Sequence, residues 1–442
     1  MKNESNMKRL FRTTLYAIAL FAFHFSSPTS AQAQTLQLSL EQAQQYAVEH
    51  NAAMQNADLD VKKAEMERWK TFSSMLPQVK AGFDYQNMCG YEMVMGSGLM
   101  SMHIPMDPNG TFSVTASVAL TGAQIVGSLL QNISVQMTDI TRQQTEQQTR
   151  ANVKNVYVSI LVMEETVGLL DSSLANLERL AATSQASVDV GAAEQVDADK
   201  LQVQVATLKS SINSTKRSLQ ALRNSLLLQL GADVNADVQL TTDLNQILSV
   251  ERATQVLGQG FDITKNYNYQ LLEQSEKLAK RNVTMAWMDF TPTLSVYYQY
   301  SKKVYFGEEG MNMTPPNMVG ASVSLPLFSS GSRAANIKSA KIALQETANS
   351  RRQAEDGLRV QYNQLCYDLA SALETYDIQR RNLDVTQRVF NNLTEKYNYG
   401  RASSLEVTNA STDIISAQSS YIQAVMNVVS AQIALENLLN IE

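Results

Sequence analysis

The chain has 442 residues, a formal net charge of −6 and only two cysteines, Cys89 and Cys366. The acidic balance argues against nucleic acid as a partner, and two cysteines exclude a disulfide framework. Beyond the N-terminal segment the sequence has no run of 18 or more apolar residues, so a contact with a membrane is expected to use strands.

The first 33 residues have the pattern of a secretory signal peptide. Four cationic side chains precede an apolar run over 15–25, and Ala31-Gln32-Ala33 forms a small-x-small cleavage site. Cleavage after Ala33 would remove those four cations and Glu4, which changes the net charge from −6 to −9. No cysteine stands at the cleavage point, so a lipid anchor there is not expected. The sequence therefore predicts an exported chain whose mature part, 34–442, is a single protomer.

A helix, a strand hairpin and a helical hairpin follow in the first half. Ser39 and Gln42 have the spacing of a capping box, which predicts a helix from there to about Met75, before Pro77. Alternating apolar residues predict strands at about 77–87 and 111–121, joined by a long loop over 88–110.

A heptad seam predicts a helix of about 65 residues from Gln124 to Val190, which turns at Gly191 into a return helix ending near Leu230. The seam residues are Val156, Ile160, Met163, Val167, Leu170, Leu174, Leu177 and Ala181. The segment of about 231–265 has weak periodicity and is interpreted as short irregular elements around the middle of a rod.

The second half repeats this order. Leu365, Leu369, Ala372 and Tyr376 lie 209 residues after their counterparts in the first seam, and Gly400 lies 209 residues after Gly191. Strands are predicted at about 292–302 and 317–327, and a long helix follows Gly331. The sequence therefore predicts an internal repeat, with repeat 1 at about 38–230 and repeat 2 at about 266–441.

The predicted strands are long enough to cross the outer-membrane hydrocarbon when tilted. Four strands cannot close a barrel, and open edges in lipid would leave backbone groups unpaired at a cost of several kcal/mol each. The interpretation is an α+β membrane protein in which three chains form a 12-stranded barrel, continuous with a barrel of long antiparallel helices. A helix of about 68 residues is roughly 100 Å long. Such an assembly would be a duct.

The order of these elements resembles the TolC family of outer-membrane efflux and secretion ducts. "LSLEQAQQYAVEHN" is similar to that family's opening helix, "VSLPLFSSGSR" to the exit from its second strand pair, and "EKYNYGRASSLEVTNAST" to its second tip. The resemblance covers about 36–441. It implies a homotrimer in the outer membrane of a Gram-negative bacterium, with a tunnel that extends into the periplasm.

The resemblance also implies the partners and the mode of action. A periplasmic membrane-fusion adaptor and an inner-membrane pump of the RND or ABC type would dock to a closed tip and open it. The chain would be a passive exit duct without cofactors and without enzymatic activity. The cargo stays open between a drug, a metal ion and a secreted protein.

In that family the tip turns meet the adaptor, and acidic side chains held by tyrosine and arginine close the tunnel. The matching gate positions are Asp197, Tyr397, Glu406 and Asn409. The matching tip positions are Gly191, Ala192, Ala193, Gly400, Arg401, Ala402 and Ser403. Ala402 stands where arginine is common, and Asn409 stands where a second aspartate is common. Both glycines would also end a helix without a partner, and Glu406 would also suit the first turn of any helix.

Two further groups of residues suggest a site. Trp69, Phe72, Trp287 and Phe290 precede the strands, so they are expected at the membrane interface, although packing between helices would also explain them. The loop 88–106 contains six methionines with Cys89 and His103, a set of soft ligands suited to Cu(I). A surface loop of relaxed composition explains it more simply, and no metal site is assigned.

Two other classes of protein compete with a duct. A trimeric coiled-coil stalk of a surface adhesin explains the heptads, but it leaves the strands and return helices without a role. A constitutively open porin explains the strands, but it leaves more than half of the chain, which is helical, unexplained. The chain has no HExxH motif, phosphate-binding glycine loop or nucleophile elbow, which argues against an enzyme.

Overall fold

The computed structural model describes residues 36–96, 101–247, 249–306 and 315–441. The predicted signal peptide therefore lies outside the described residues. Helices dominate the described residues, and each half contains an entry helix, two strands of one four-stranded sheet, a long helix and a return helix. The helices are α1 Leu40–His50, α2 Ala52–Ser73, α3 Gly122–Asp189, α4 Gln195–Leu230, α5 Leu244–Ile247, α6 Val250–Leu257, α7 Tyr267–Met288, α8 Ser332–Asn398 and α9 Ser404–Leu439. The strands are β1 Leu36–Leu38, β2 Gln78–Gln86, β3 Glu92–Met95, β4 Met102–Pro105, β5 Asn109–Leu120, β6 Val238–Leu240, β7 Thr293–Tyr305 and β8 Asn317–Ser324.

The opening helix is two helices rather than one. The capping box of Ser39 and Gln42 is present, but Asn51 has an extended backbone and separates α1 from α2. The Asn51 side chain accepts a hydrogen bond from the Ala53 N–H (2.7 Å) and donates one to the Gln229 carbonyl (2.7 Å). The prediction of one continuous helix was wrong because this tertiary contact stabilises a break that the apolar spacing does not indicate.

Two long helical hairpins form the body of the molecule. The first joins α3, of 68 residues, to α4, and the second joins α8, of 67 residues, to α9. At about 1.5 Å per residue, α3 is roughly 100 Å long. It begins two residues before the predicted start, because Thr121 and Gln124 form a capping box there. The heptad seams form the cores: Leu170 and Leu177 pack on Leu201 and Leu208.

Helix α9 is an interior helix of this bundle. Among the described residues it is the one helix long and apolar enough to cross a membrane. Its buried face also carries Gln418, Gln432 and Glu436. The Glu436 carboxylate lies 2.5 Å from the Lys154 ammonium of α3, and both side chains are largely buried. Buried charge that pairs with a neighbouring helix is typical of a bundle core rather than of a surface facing lipid.

The four longer strands form one antiparallel sheet in the order β2-β5-β7-β8. Their bounds lie within three residues of the predicted ones at each end. The register places Val79 opposite Ala116, Ala116 opposite Tyr298, and Tyr298 opposite Val319. Most apolar residues of the four strands therefore share one face. Lys80, Thr115 and Gln299 lie on the other, which also carries Tyr297 and Met318.

Burial along β7 is the reverse of that in a strand of a soluble protein. Along β7 the apolar side chains of Leu294, Val296 and Tyr298 are exposed, whereas Ser295 and Gln299 are half-buried. In water, an apolar face of this size would be an aggregation or binding surface. The outer strands β2 and β8 each have one edge without a partner strand within the described chain.

Two regions contain more regular structure than the sequence predicts. The segment 88–110, predicted as a loop, contains a small antiparallel hairpin of β3 and β4. The segment 231–265 contains β6, α5, α6 and a 3₁₀ turn, and β6 pairs in parallel with β1. Tyr157 fixes this pair to α3, since its hydroxyl donates to the Leu38 carbonyl (2.9 Å) and accepts from the Thr242 N–H (3.1 Å).

Candidate functional site

The two tip turns have the same backbone structure. Gly191 and Gly400 have φ values of 73° and 67°, in the left-handed region that favours glycine. The Ala192 N–H donates to the Ser187 carbonyl (2.8 Å), and the Arg401 N–H donates to the Lys396 carbonyl (2.8 Å). These are Schellman motifs, which end a helix with or without a partner. The side chains of Ala192, Arg401 and Ser403 are exposed, and those of Ala193 and Ala402 are half-buried.

A hydrogen bond joins the two hairpins just above these turns. Ser404 is only 4% exposed, and its hydroxyl donates to Oδ1 of Asp197 at 2.6 Å. Asp197 lies in the first turn of α4, and Ser404 is the first residue of α9. The Lys200 ammonium lies 3.6 Å from the same oxygen. The sequence pointed to Asp197 but missed Ser404, because no local pattern indicates a bond between residues 207 positions apart.

Glu406 stabilises its own helix. Its Oε2 accepts hydrogen bonds from the Ser403 N–H (2.7 Å) and the Ser403 hydroxyl (2.9 Å), and the Ser403 hydroxyl accepts from the Glu406 N–H. These bonds, with Lys396 nearby, hold the pKa of Glu406 below its usual value. The carboxylate is exposed and ionised, so it supplies fixed negative charge at the start of α9.

The other predicted gate residues have different surroundings. Tyr397 is half-buried and packs on the cluster of Leu180, Phe390 and Val407, which joins α3 to α8 and α9. Asn409 is exposed three residues after Glu406, on the same side of α9. The structure therefore brings Asp197 to Ser404 and leaves Tyr397 in an apolar contact.

The four aromatic residues at the joint between helices and strands are exposed. Trp69 is 59% exposed and Trp287 is 51% exposed, and each ring lies within about 6 Å of a phenylalanine ring, Phe72 or Phe290. Two cations of α8 lie over the second pair: Arg333 is 5.5 Å from the Phe290 ring and Lys341 is 5.9 Å from the Trp287 ring. Rings beside cations at one level are typical of a membrane interface.

Among the described residues, no group of three or more His, Cys, Asp or Glu side chains is placed so that it could hold a metal ion. A polar cavity of about 850 Å³ lies between α1, α3 and α9. Its charged lining residues are three acids and three bases, Glu41, Glu146, Glu436, Arg150, Lys154 and Arg252, and Glu436 pairs with both Lys154 and Arg252. The formal charges of the lining therefore balance one another, and it contains no nucleophile with an adjacent base.

Comparison with solved structures defines the class. The chain is similar to the channel CusC with a TM-score of 0.73 and 16% identity, over 94% of this chain and 95% of that one. It is similar to the open state of the MtrE outer membrane channel of Neisseria gonorrhoeae with a TM-score of 0.72 and 17% identity, over 94% of each chain. The fold is that of an outer-membrane channel protein.

The family follows from the sequence. Residues 267–440 match the family described as outer membrane efflux protein. The chain is also 20% identical over 294 residues to the outer membrane efflux protein BepC of Brucella suis, and this alignment spans 66% of the chain and 63% of that relative's length. The match to the outer membrane efflux protein family lies in the second half of the chain, and the similar solved structures are outer-membrane channels rather than enzymes. The resemblance found in the sequence is confirmed.

Proposed function

We propose that three copies of this chain form a passive exit duct for an efflux or type I secretion system. The observation that carries this proposal is the alternation along β7, the third strand of the four-stranded sheet. Its apolar side chains are exposed and the alternate, mainly polar ones are half-buried, as expected for a strand with lipid outside and a water-filled lumen inside. The unpaired edges of β2 and β8 would meet between neighbouring copies, so three chains would close a barrel of 12 strands.

The helical hairpins extend this barrel into the periplasm. Their length of roughly 100 Å is sufficient for a long periplasmic tunnel. The repeated order of elements supports an internal repeat, which would place six pseudo-equivalent hairpins around the axis of a trimer. The signal peptide over 1–33 would direct the chain to the periplasm before insertion.

The tip would be the gate and the docking surface. The bond between Asp197 and Ser404 joins the two hairpins of one chain at this end, and the fixed charge of Glu406 would repel anions at a constriction. A periplasmic adaptor would contact the exposed turns around Gly191 and Gly400 and would loosen that bond. An inner-membrane pump of the RND or ABC type would supply the cargo and the energy.

Conductance of the purified protein in planar bilayers tests this proposal. We expect a small conductance for the wild type and a several-fold larger one for the double variant Asp197→Ala, Ser404→Ala, because loss of the bond separates the hairpins. Glu178→Gln is the matched control, since it removes an ion pair with Lys209 inside one hairpin (2.7 Å) and should leave the conductance unchanged.

The outcomes separate the alternatives. A large and equal conductance in wild type and double variant would keep the pore but reject the gate, as expected for a porin. No current from protein shown to be folded, inserted and trimeric by light scattering would reject the duct and favour a stalk. An increase in the control variant as large as in the double variant would mean general loosening rather than a gate.

A further inference from the structure

We propose that the β3–β4 hairpin binds a soft monovalent cation, Cu(I) or Ag(I), through the thioethers of Met93, Met95 and Met102. The sequence alone gave only the composition of this segment, and a loop of relaxed composition was the simpler explanation. The structure adds a defined hairpin with a register. The proposal does not depend on the chain being a duct.

The register places the three sulfur-bearing side chains together. Met95 pairs directly with Met102, and Met93, two residues before Met95, lies on the same face of the hairpin. Directly opposed residues have Cβ atoms about 4.5–5.5 Å apart, and diagonal neighbours are about 7–8 Å apart. Since a methionine side chain has three rotatable bonds beyond Cα, the three sulfurs can converge on one ion.

The face is open to solvent. Met93, Met95 and Met102 are 39%, 55% and 64% exposed. An ion would therefore reach the thioethers without any change in the fold. Bonds from the Tyr91 N–H to the Met88 carbonyl (3.1 Å) and from the Met106 N–H to the Tyr91 carbonyl (3.0 Å) hold the base of the hairpin, which orients its faces.

The composition is far from that of an ordinary surface. Six of the chain's 19 methionines lie in the 19 residues from 88 to 106. Valine or isoleucine would fill the same strand positions with a better β propensity, so the hairpin does not need methionine for its structure. Met100 lies outside the described residues and has no part in this argument.

The chemistry of the two faces selects the ion. Neutral thioethers are soft ligands that suit Cu(I), whereas carboxylate and imidazole suit harder or borderline ions. The hard ligands lie on the opposite face, where His103 Nδ1 is 3.3 Å from a Glu92 carboxylate oxygen. The proposed site would therefore bind Ag(I) or Cu(I) and would discriminate against Zn(II).

Titration of the purified full-length protein with Ag(I) in chloride-free buffer tests the site. The background is Cys89→Ser, Cys366→Ser, which removes both thiols and their own affinity for silver. We expect about one Ag(I) per chain by calorimetry, and competition by Cu(I) under anaerobic conditions. The triple variant Met93→Leu, Met95→Leu, Met102→Leu keeps apolar side chains of similar size and should weaken binding at least tenfold.

Two controls make the result specific to this face. Met66→Leu, Met318→Leu removes two exposed thioethers elsewhere and should leave the affinity unchanged. His103→Asn alters the opposite face and should also leave it unchanged. Unaltered Ag(I) binding in the triple variant, or no saturable binding in the thiol-free background, would overturn the proposal. A loss in the His103 variant equal to that in the triple variant would overturn the assignment to the thioether face.

Discussion

Gly231 allows the C-terminal end of α4 to lie in close contact with the C-terminal end of α1. Its φ is +72°, and a Cβ there would lie 2.3 Å from the carbonyl oxygen of His50. That carbonyl belongs to the end of α1, where Asn51 donates to the Gln229 carbonyl. Backbone strain and a clash with backbone atoms therefore act together at this position.

We expect Gly231→Ala to destabilise the fold by about 2 kcal/mol or more, because neither the strain nor the clash is relieved by moving a side chain. Gly168→Ala is the matched control: Gly168 lies inside α3, and a Cβ there meets nothing within 4 Å. Alanine at this helical position should stabilise the chain by about 0.5–1 kcal/mol. Thermal unfolding by circular dichroism compares the two variants, and equal transition temperatures would contradict this account.

Residues that join distant parts of the chain are the ones that the sequence could not predict. The side-chain bond of Asn51 to the Gln229 backbone breaks a helix whose apolar spacing continues across the break. Ser404 reaches Asp197 from another hairpin, and neither residue has a local signal for that bond. Glu406 was predictable in part, since a serine three residues earlier is the pattern of a capping box.

An ion pair joins α7, the helix that precedes strands β7 and β8, to α8, the helix that follows them. The Arg351 guanidinium of α8 lies 2.7 Å from a Glu276 carboxylate oxygen of α7, and it also donates to the Tyr269 hydroxyl (2.9 Å). The hydrogen bond from Lys280 and then that from Arg351 hold the pKa of Glu276 below its usual value, against the effect of burial.

This direction of shift fixes the sign of a pH effect. Because the folded-state pKa of Glu276 is lower than the unfolded one, its contribution is complete above the unfolded value near 4.5 and is lost as the pH falls through the folded value. We expect Glu276→Gln to lower the unfolding temperature at pH 7, by the equivalent of about 1 kcal/mol. The difference from wild type should shrink as the pH falls below 4.

Glu273→Gln provides the comparison for this prediction. Glu273 lies on the same helix and pairs with Lys277, at 3.3 Å between two half-exposed side chains. Its loss should cost less than about 0.5 kcal/mol at any pH. A pH-independent difference for Glu276→Gln, or one as small as that of Glu273→Gln, would show that the pair with Arg351 does not join the two helices energetically.

Elements with strong periodicity were predictable, and those without it were not. The heptad seams of α3 and α8 predict the long helices to within two or three residues, because the seam residues are buried or half-buried where each long helix packs in the bundle. The β3–β4 hairpin was missed because Met93, Val94 and Met95 are consecutive apolar residues without alternation. The parallel pair of β1 and β6 was missed because its strands are three residues long and 202 positions apart.

We propose that the exposed apolar side chains of β7 and the exposed rings beside the sheet lie at one level of a membrane. Trp69 lies near the end of α2, which leads into β2, and Trp287 lies near the end of α7, which leads into β7. Both indoles therefore lie at the same end of the sheet. They are the only two tryptophans in the chain, which makes their fluorescence a direct reporter of that level. Interfacial tryptophans place their rings at the depth of the lipid headgroups.

We expect brominated lipids to quench this fluorescence, and a bromine near the headgroup to quench more than one near the middle of the acyl chain. Trp69→Phe and Trp287→Phe leave a single indole each, and both should give the same depth, because the two joints would occupy equivalent positions around a closed barrel. The baseline is the fluorescence of the protein in detergent alone and in bilayers of unbrominated lipid. Absence of quenching in either variant would place that indole against protein, which would favour helix packing for that pair of rings and require a different level for the membrane.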